Sequence, residues 1–157
     1  MTRHLWHPAI VHFPLACWVL ATLLDVGHLL DLDSALAGTD FSAASPLLLW
    51  IGLVAAVPAV AAGLLDYAAL PRAVQDSKEL LAHILCMASA LVVFLAAALW
   101  RARLEAFVPP DALFVIAVEV AGSALLVAGG HFAAVVVYRR IPAGAAELHL
   151  PNRHSPR

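Results

Sequence analysis

The sequence predicts an all-α integral membrane protein, a four-helix bundle with both termini in the cytoplasm. Its composition is the first reason: of 157 residues, 63% are hydrophobic and 13% charged, and the mean hydropathy is +0.90. Soluble domains are about half apolar and about a quarter charged. The excess indicates a surface that faces lipid. A net charge of −2 gives no support for a nucleic-acid partner, which would need a basic surface.

Four long apolar segments are the second reason. Crossing a bilayer takes about 20 mostly apolar residues, and the segments that qualify are about 8–32, 44–70, 80–100 and 112–138. Together they make one transmembrane domain, residues 1–140. Residues 141–157 are predicted to be a loosely ordered cytoplasmic tail. Either Ser77 or Asp76 is expected to cap the third helix.

The distribution of Lys and Arg predicts the orientation. One side of the predicted bundle holds seven of them: Arg3, Arg72, Lys78, Arg139, Arg140, Arg153 and Arg157. The other side holds Arg101 and Arg103. Because cytoplasmic loops carry the excess of positive charge, both termini are expected in the cytoplasm. Cleavage of the first span as a signal peptide is the competing interpretation, with Ala35–Ala37 as the cleavage site. That span is too long for this role, and it contains His12 and Asp25.

Histidines from three predicted spans fall at one depth. His7 and His12 lie at the start of the first span, His83 lies one turn into the third, and His131 lies about two turns before the end of the fourth. At the helical rise they share a layer roughly 10 Å thick. Any one of them alone is explained as an interfacial side chain, and His7 fits that interpretation best. The set of His12, His83 and His131 instead predicts a shared cofactor role, since ionisable groups within membranes usually face the interior.

Haem b suits such a set, because it takes an axial imidazole on each face of its iron from helices that face one another. His12 and His83 are the leading iron ligands, followed by His131 and His7. His7 and His12 are about 140° apart around an ideal helix, so a bend at Pro14 is expected to turn His12 inward.

Small and acidic residues complete the predicted site. Gly63 and Gly130 are expected to make room for the macrocycle, although close helix packing explains membrane glycines equally well. Asp66 either holds a histidine tautomer, or it caps the loop that begins at Pro71 or pairs with Arg72. Glu119 either relays protons or forms a hydrogen bond across helices. The two cysteines do not make a disulfide framework.

Several segments resemble one bacterial family of predicted membrane proteins, domain of unknown function 2231. His7–Pro14, HPAIVHFP, resembles the family's HPxxVHFP opening, and Gly63–Tyr67, GLLDY, is similar to its GLxDY segment. His83 matches an early histidine of the third helix. Gly129-Gly130 and Val137-Tyr138 match the last helix, with a longer spacing than the family's GGxLVY. The resemblance implies a multi-pass protein of the bacterial inner membrane, similar in layout to small b-type cytochromes.

The sequence therefore predicts an electron-transfer module that binds haem b and exchanges electrons with a quinone or a partner protein, with no catalytic residue of its own. Two alternatives remain open. One is a non-catalytic anchor or scaffold subunit of a redox or transport complex. The other is a metal- or proton-handling protein that uses the histidines, Asp66 and Glu119. Association as a homo-oligomer or as a complex subunit fits each of them.

Overall fold

The computed structural model describes residues 6–32, 41–104, 107–108 and 110–140. These ranges contain helices and no strand, which confirms the predicted all-α class. The helices are α1 Trp6–Leu29, α2 Phe41–Ala68, α3 Arg72–Gln75, α4 Lys78–Arg101 and α5 Asp111–Arg140. The short α3 was not predicted. The predicted tail, 141–157, lies outside the described residues.

Among the residues that the structure describes, four helices are long and apolar enough to cross a membrane, as the sequence predicts. The segments that qualify are Ile10–Leu29, Ala43–Ala68, Lys78–Arg101 and Asp111–Tyr138. Their outward faces carry large apolar side chains such as Val54 and Val127, each more than two-thirds exposed on the surface of the bundle. In a membrane these side chains contact lipid, so the protein is a multi-pass membrane protein.

The bundle consists of two helical pairs. α1 packs along α2, and α4 packs along α5. The pairs then meet where α1 contacts α5 and α2 contacts α4. The helices of each pair are antiparallel, because the start of one contacts the end of the other: His7 lies against Gly63, and Met87 lies against Gly129.

An aromatic stack joins the two pairs at the centre of the bundle. The rings of Trp18 on α1 and Phe94 on α4 are 4.9 Å apart and nearly parallel. Glycines let the facing helices approach them: a Cβ on Gly52 would lie 2.5 Å from Nε1 of Trp18, and a Cβ on Gly122 would lie 2.8 Å from Phe94. Small residues at contacts are how membrane helices gain close packing.

The turn between α2 and α4 is closed by side-chain hydrogen bonds. The Ser77 hydroxyl accepts from the Leu80 N–H at 3.4 Å and donates to the Val74 carbonyl at 2.7 Å. Ser77 is therefore the cap of α4. The Gln75 amide donates to the carbonyls of Tyr67 and Leu70, at the end of α2. These bonds place the start of α4 beside the end of α2, where the candidate site lies.

Candidate functional site

A cavity of about 400 Å³ lies between α1, α2 and α4. Its walls are mostly aliphatic and aromatic side chains. The titratable residues that line it are His7, Asp66, Tyr67 and His83. It extends from the turn between α2 and α4 to Trp18 at the centre of the bundle. An apolar pocket of this size with a few polar groups is the usual form of a site for a small organic ligand.

His7 is held against the partner helix of its own pair. Its Nδ1 lies 2.9 Å from the carbonyl oxygen of Ala59 on α2. A carbonyl oxygen accepts hydrogen bonds and donates none, so Nδ1 must carry the hydrogen. The ring lies against Gly63, where an added Cβ would come within 3.0 Å of Nδ1. Because Gly63 has no side chain, the imidazole of His7 has room to pack against α2.

His83 is held in the same way in the other pair. Its Nδ1 lies 2.9 Å from the carbonyl oxygen of Gly129 on α5. The same reasoning makes Nδ1 the donor. In the neutral form of each ring Nε2 then keeps its lone pair, which is the arrangement of a histidine that binds a metal centre through Nε2.

The structure brings some of the predicted site residues to the cavity. His7, His83, Asp66 and Gly63 all line it. His7 was ranked last among the four predicted histidines, and the structure places it at the cavity with His83. The predicted layer of histidines thus contains a pair that shares one cavity.

His12 is placed differently from the expectation. It is exposed, and it is absent from the cavity wall. Pro14 is itself buried and lines the cavity, so no bend turns His12 inward. The two histidines of α1 are about 140° apart around the helix, and the helix places His7 inside.

His131 and Gly130 also lie away from the cavity. The His131 side chain is exposed and contacts the ring of Phe132, 5.8 Å away. A Cβ added at Gly130 would have no side-chain or backbone neighbour within 4 Å. Within the described ranges, no three His, Cys, Asp or Glu side chains are grouped closely enough to hold a metal ion.

A second polar site, which we call the charged cluster, lies at the opposite end of the bundle. It consists of Asp25 on α1, Ser45 on α2, Arg101 on α4 and Glu119 on α5. Asp25, Ser45 and Glu119 are fully buried, and Arg101 is 7% exposed. Nη2 of Arg101 lies 3.7 Å from the Asp25 carboxylate, and its guanidinium carbon lies 3.2 Å from the ring centre of Phe107.

Sequence reasoning did not predict the charged cluster. A usable signal was present, because Asp25 follows His7 by 18 residues and Arg101 follows His83 by 18 residues. The same comparison of depths that grouped the histidines would group these two residues, about 27 Å further along their helices. Arg101 had instead been assigned to a loop.

Comparison with known proteins identifies a family and no closer relative. The model of a family described as predicted membrane protein, DUF2231, matches residues 3–144. No curated protein and no solved structure was found to match the chain.

Proposed function

This chain belongs to the DUF2231 family of predicted membrane proteins, and from that premise we propose that it binds haem b in the cavity, where His7 and His83 would hold the iron. It would serve as a one-electron carrier in the membrane. The observation that carries the proposal is that two imidazoles line one cavity. In each of them Nδ1 donates a hydrogen bond to a backbone carbonyl.

The hydrogen bonds of the two histidines distinguish between ligand types. A ligand that accepts a hydrogen bond, such as a quinone carbonyl, needs a donor, and a neutral ring with its hydrogen on Nδ1 offers no donor at Nε2. A metal centre needs a lone pair, and Nε2 offers one. A backbone carbonyl on Nδ1–H also fixes the ring and raises its basicity, as is usual for metal-bound histidines.

The side chains that line the rest of the cavity suit an apolar group. His7 belongs to one helical pair and His83 to the other, so the two imidazoles approach from different helices. Leu15, Leu91 and Met87 supply apolar surface between them and the central aromatic stack. Asp66 lies at the end of the cavity near the α2–α4 turn, where a carboxylate is suited to meet a polar edge of a ligand.

His7 and His83 would hold the haem iron, and the group would supply one-electron transfer when bound. The residues of the chain would orient it, keep it in an apolar medium and set its potential through the two Nδ1 bonds. A quinone or a redox partner protein is the electron-exchange partner we propose. The proposed location is the inner membrane of a bacterium.

An absorption spectrum tests the proposal directly. The full chain is produced in haem-supplied cells, purified in detergent, and measured oxidised and dithionite-reduced. We expect a Soret band and a reduced α-band, with one haem for each chain. His7→Ala and His83→Ala are each expected to remove most of the bound haem.

Matched control variants come from the other two histidines of the predicted site. His12→Ala changes the same helix as His7, and His131→Ala changes an exposed ring on α5; both are expected to keep the wild-type spectrum. A colourless protein that also takes up no added haem would refute the proposal. It would favour the alternative of a non-catalytic anchor or scaffold subunit, whose function would survive the loss of His7 and His83.

A further inference from the structure

The charged cluster holds two carboxyl groups and one guanidinium in the interior of a membrane bundle. Asp25 and Glu119 lie on facing helices, because the hydroxyls of Thr22 and Ser123, each about one turn away from one of them, are 3.3 Å apart. The Asp25 carboxyl interacts with that of Glu119 and with the hydroxyl of Ser45. In the part of the chain that the structure describes, the side-chain oxygens of all three have no hydrogen-bond partner. Buried polar groups normally have one, so the two carboxyl groups are candidates to hold a ligand or a proton.

The balance of charge distinguishes between a ligand and a proton. Arg101 keeps its charge at every accessible pH. If both carboxyl groups were ionised, the cluster would carry one net negative charge at membrane depth, where uncompensated charge is strongly unfavourable. One proton on the pair makes the cluster neutral, as in other sites where two close carboxyl groups share a proton. An added metal cation would instead face the guanidinium.

A proton also allows the two acidic side chains to form a hydrogen bond with each other. An ionised carboxylate accepts hydrogen bonds and cannot donate, so two of them side by side satisfy neither. Protonation of one turns it into a donor to the other. The Ser45 hydroxyl then provides a further donor to the oxygen that stays ionised.

Other groups face the pair from each side. His28 on α1 lies about one turn beyond Asp25, and its ring lies 5.9 Å from that of Phe107, which covers Arg101. Nearer the middle of the bundle, the hydroxyls of Thr22 and Ser123 are 3.3 Å apart. Thr22 lies about one turn from Asp25 along α1, and Ser123 lies about one turn from Glu119 along α5. Hydroxyl groups therefore continue from the carboxyl pair toward the centre of the bundle.

We propose that Asp25 and Glu119 form a proton-binding site that holds one proton between their carboxyl groups, with Arg101 as the fixed counter-charge. Binding takes one proton from water onto a carboxyl oxygen and changes the charge of the cluster from −1 to zero; release reverses both. The site is separate from the histidine cavity and does not depend on haem.

Infrared spectroscopy of the purified full chain tests this inference. A protonated carboxylic acid has a C=O stretching band distinct from the bands of carboxylates. We expect such a band at neutral pH, shifted by exchange into D2O. It is expected to disappear in Glu119→Gln and in Asp25→Asn, since each variant leaves one carboxylate to balance Arg101.

Two further variants provide a gain of signal and a control. Arg101→Leu removes the counter-charge, so both carboxyl groups are expected to be protonated and the band to grow roughly twofold. Asp76→Asn changes an exposed carboxylate and is expected to leave the band unchanged.

Three results would overturn the proposal. One is the absence of the band in the folded wild-type protein. Another is a band that persists unchanged in Glu119→Gln and in Asp25→Asn. The third is a band abolished by sodium chloride but not by choline chloride, which would identify a sodium site. None of these results bears on haem, whose spectrum is measured separately.

Discussion

Nδ1 of His83 donates a hydrogen bond to the carbonyl oxygen of Gly129 at 2.9 Å. The first helical pair repeats the arrangement at the same distance with His7 and Ala59. In each pair a histidine near the start of one helix is held by the backbone of the antiparallel partner. Two independently oriented imidazoles thus reach one cavity, a preorganisation expected for a ligand bound between the pairs.

Gly63→Ala is expected to weaken cofactor binding. The added Cβ would lie 3.0 Å from Nδ1 of His7, so the ring must shift by a few tenths of an ångström, which strains its hydrogen bond to the Ala59 carbonyl. Complete loss of such an orienting bond lowers metal-site affinity by about 10–100-fold, so we expect a decrease at the lower end of that range. Haem titration monitored at the Soret band measures this effect.

Gly130→Ala is the matched control for Gly63→Ala. Both glycines lie within membrane helices, but nothing lies within 4 Å of a Cβ added at Gly130. We expect haem affinity to stay at the wild-type value. Equal losses in the two variants would show that Gly63 acts through its helix rather than through His7.

The sequence was sufficient to predict the helices and the depth of the site. Span length and hydropathy belong to the chain itself, and the height of a residue follows from the helical rise. The rotation of α1 about its axis was not predictable in the same way. It depends on how Trp18 and Pro14 pack against the other helices, and that packing places His7 inside and His12 outside.

The charged cluster shows the same limitation for charged residues. Arg101 follows a long apolar segment, so the pattern of the chain assigned it to a loop. The structure instead includes it in α4 and packs it beside Asp25 and beneath Phe107. Those partners come from distant parts of the sequence, and no local pattern indicates them.

Ser77→Ala is expected to destabilise the start of α4. The Ser77 hydroxyl accepts from the Leu80 N–H and donates to the Val74 carbonyl, and the side chain is 4% exposed. Loss of an N-cap lowers the free energy of unfolding by about 0.5–2 kcal/mol. Thermal unfolding in detergent, followed by circular dichroism, measures the change.

Ser89→Ala tests whether the effect of Ser77→Ala is local. Ser89 lies in the middle of the same helix and is exposed. Its replacement is expected to leave the unfolding temperature within error of wild type. A similar decrease in both variants would argue against capping as the cause.

Phe107→Leu is expected to destabilise the protein by weakening the support of Arg101. The guanidinium carbon lies 3.2 Å from the centre of the Phe107 ring, an interaction worth about 0.5–2 kcal/mol. Leucine keeps an apolar cover but lacks the π face. Chemical unfolding in mixed micelles measures the loss. Phe13→Leu, at an exposed position on α1, serves as the control; an equal effect there would exclude the cation–π contact as the cause.

Both termini are expected to face the cytoplasm. Four membrane-spanning helices place the two ends of the described bundle on the same side, and the positive-inside rule selects the cytoplasm. The structure strengthens the charge argument, because Arg101 is buried beside Asp25 and no longer counts as a loop charge. A C-terminal green fluorescent protein fusion is expected to fluoresce, and a C-terminal alkaline phosphatase fusion to be inactive. The reverse pattern would place the histidine cavity at the outer side of the membrane and the charged cluster at the inner side.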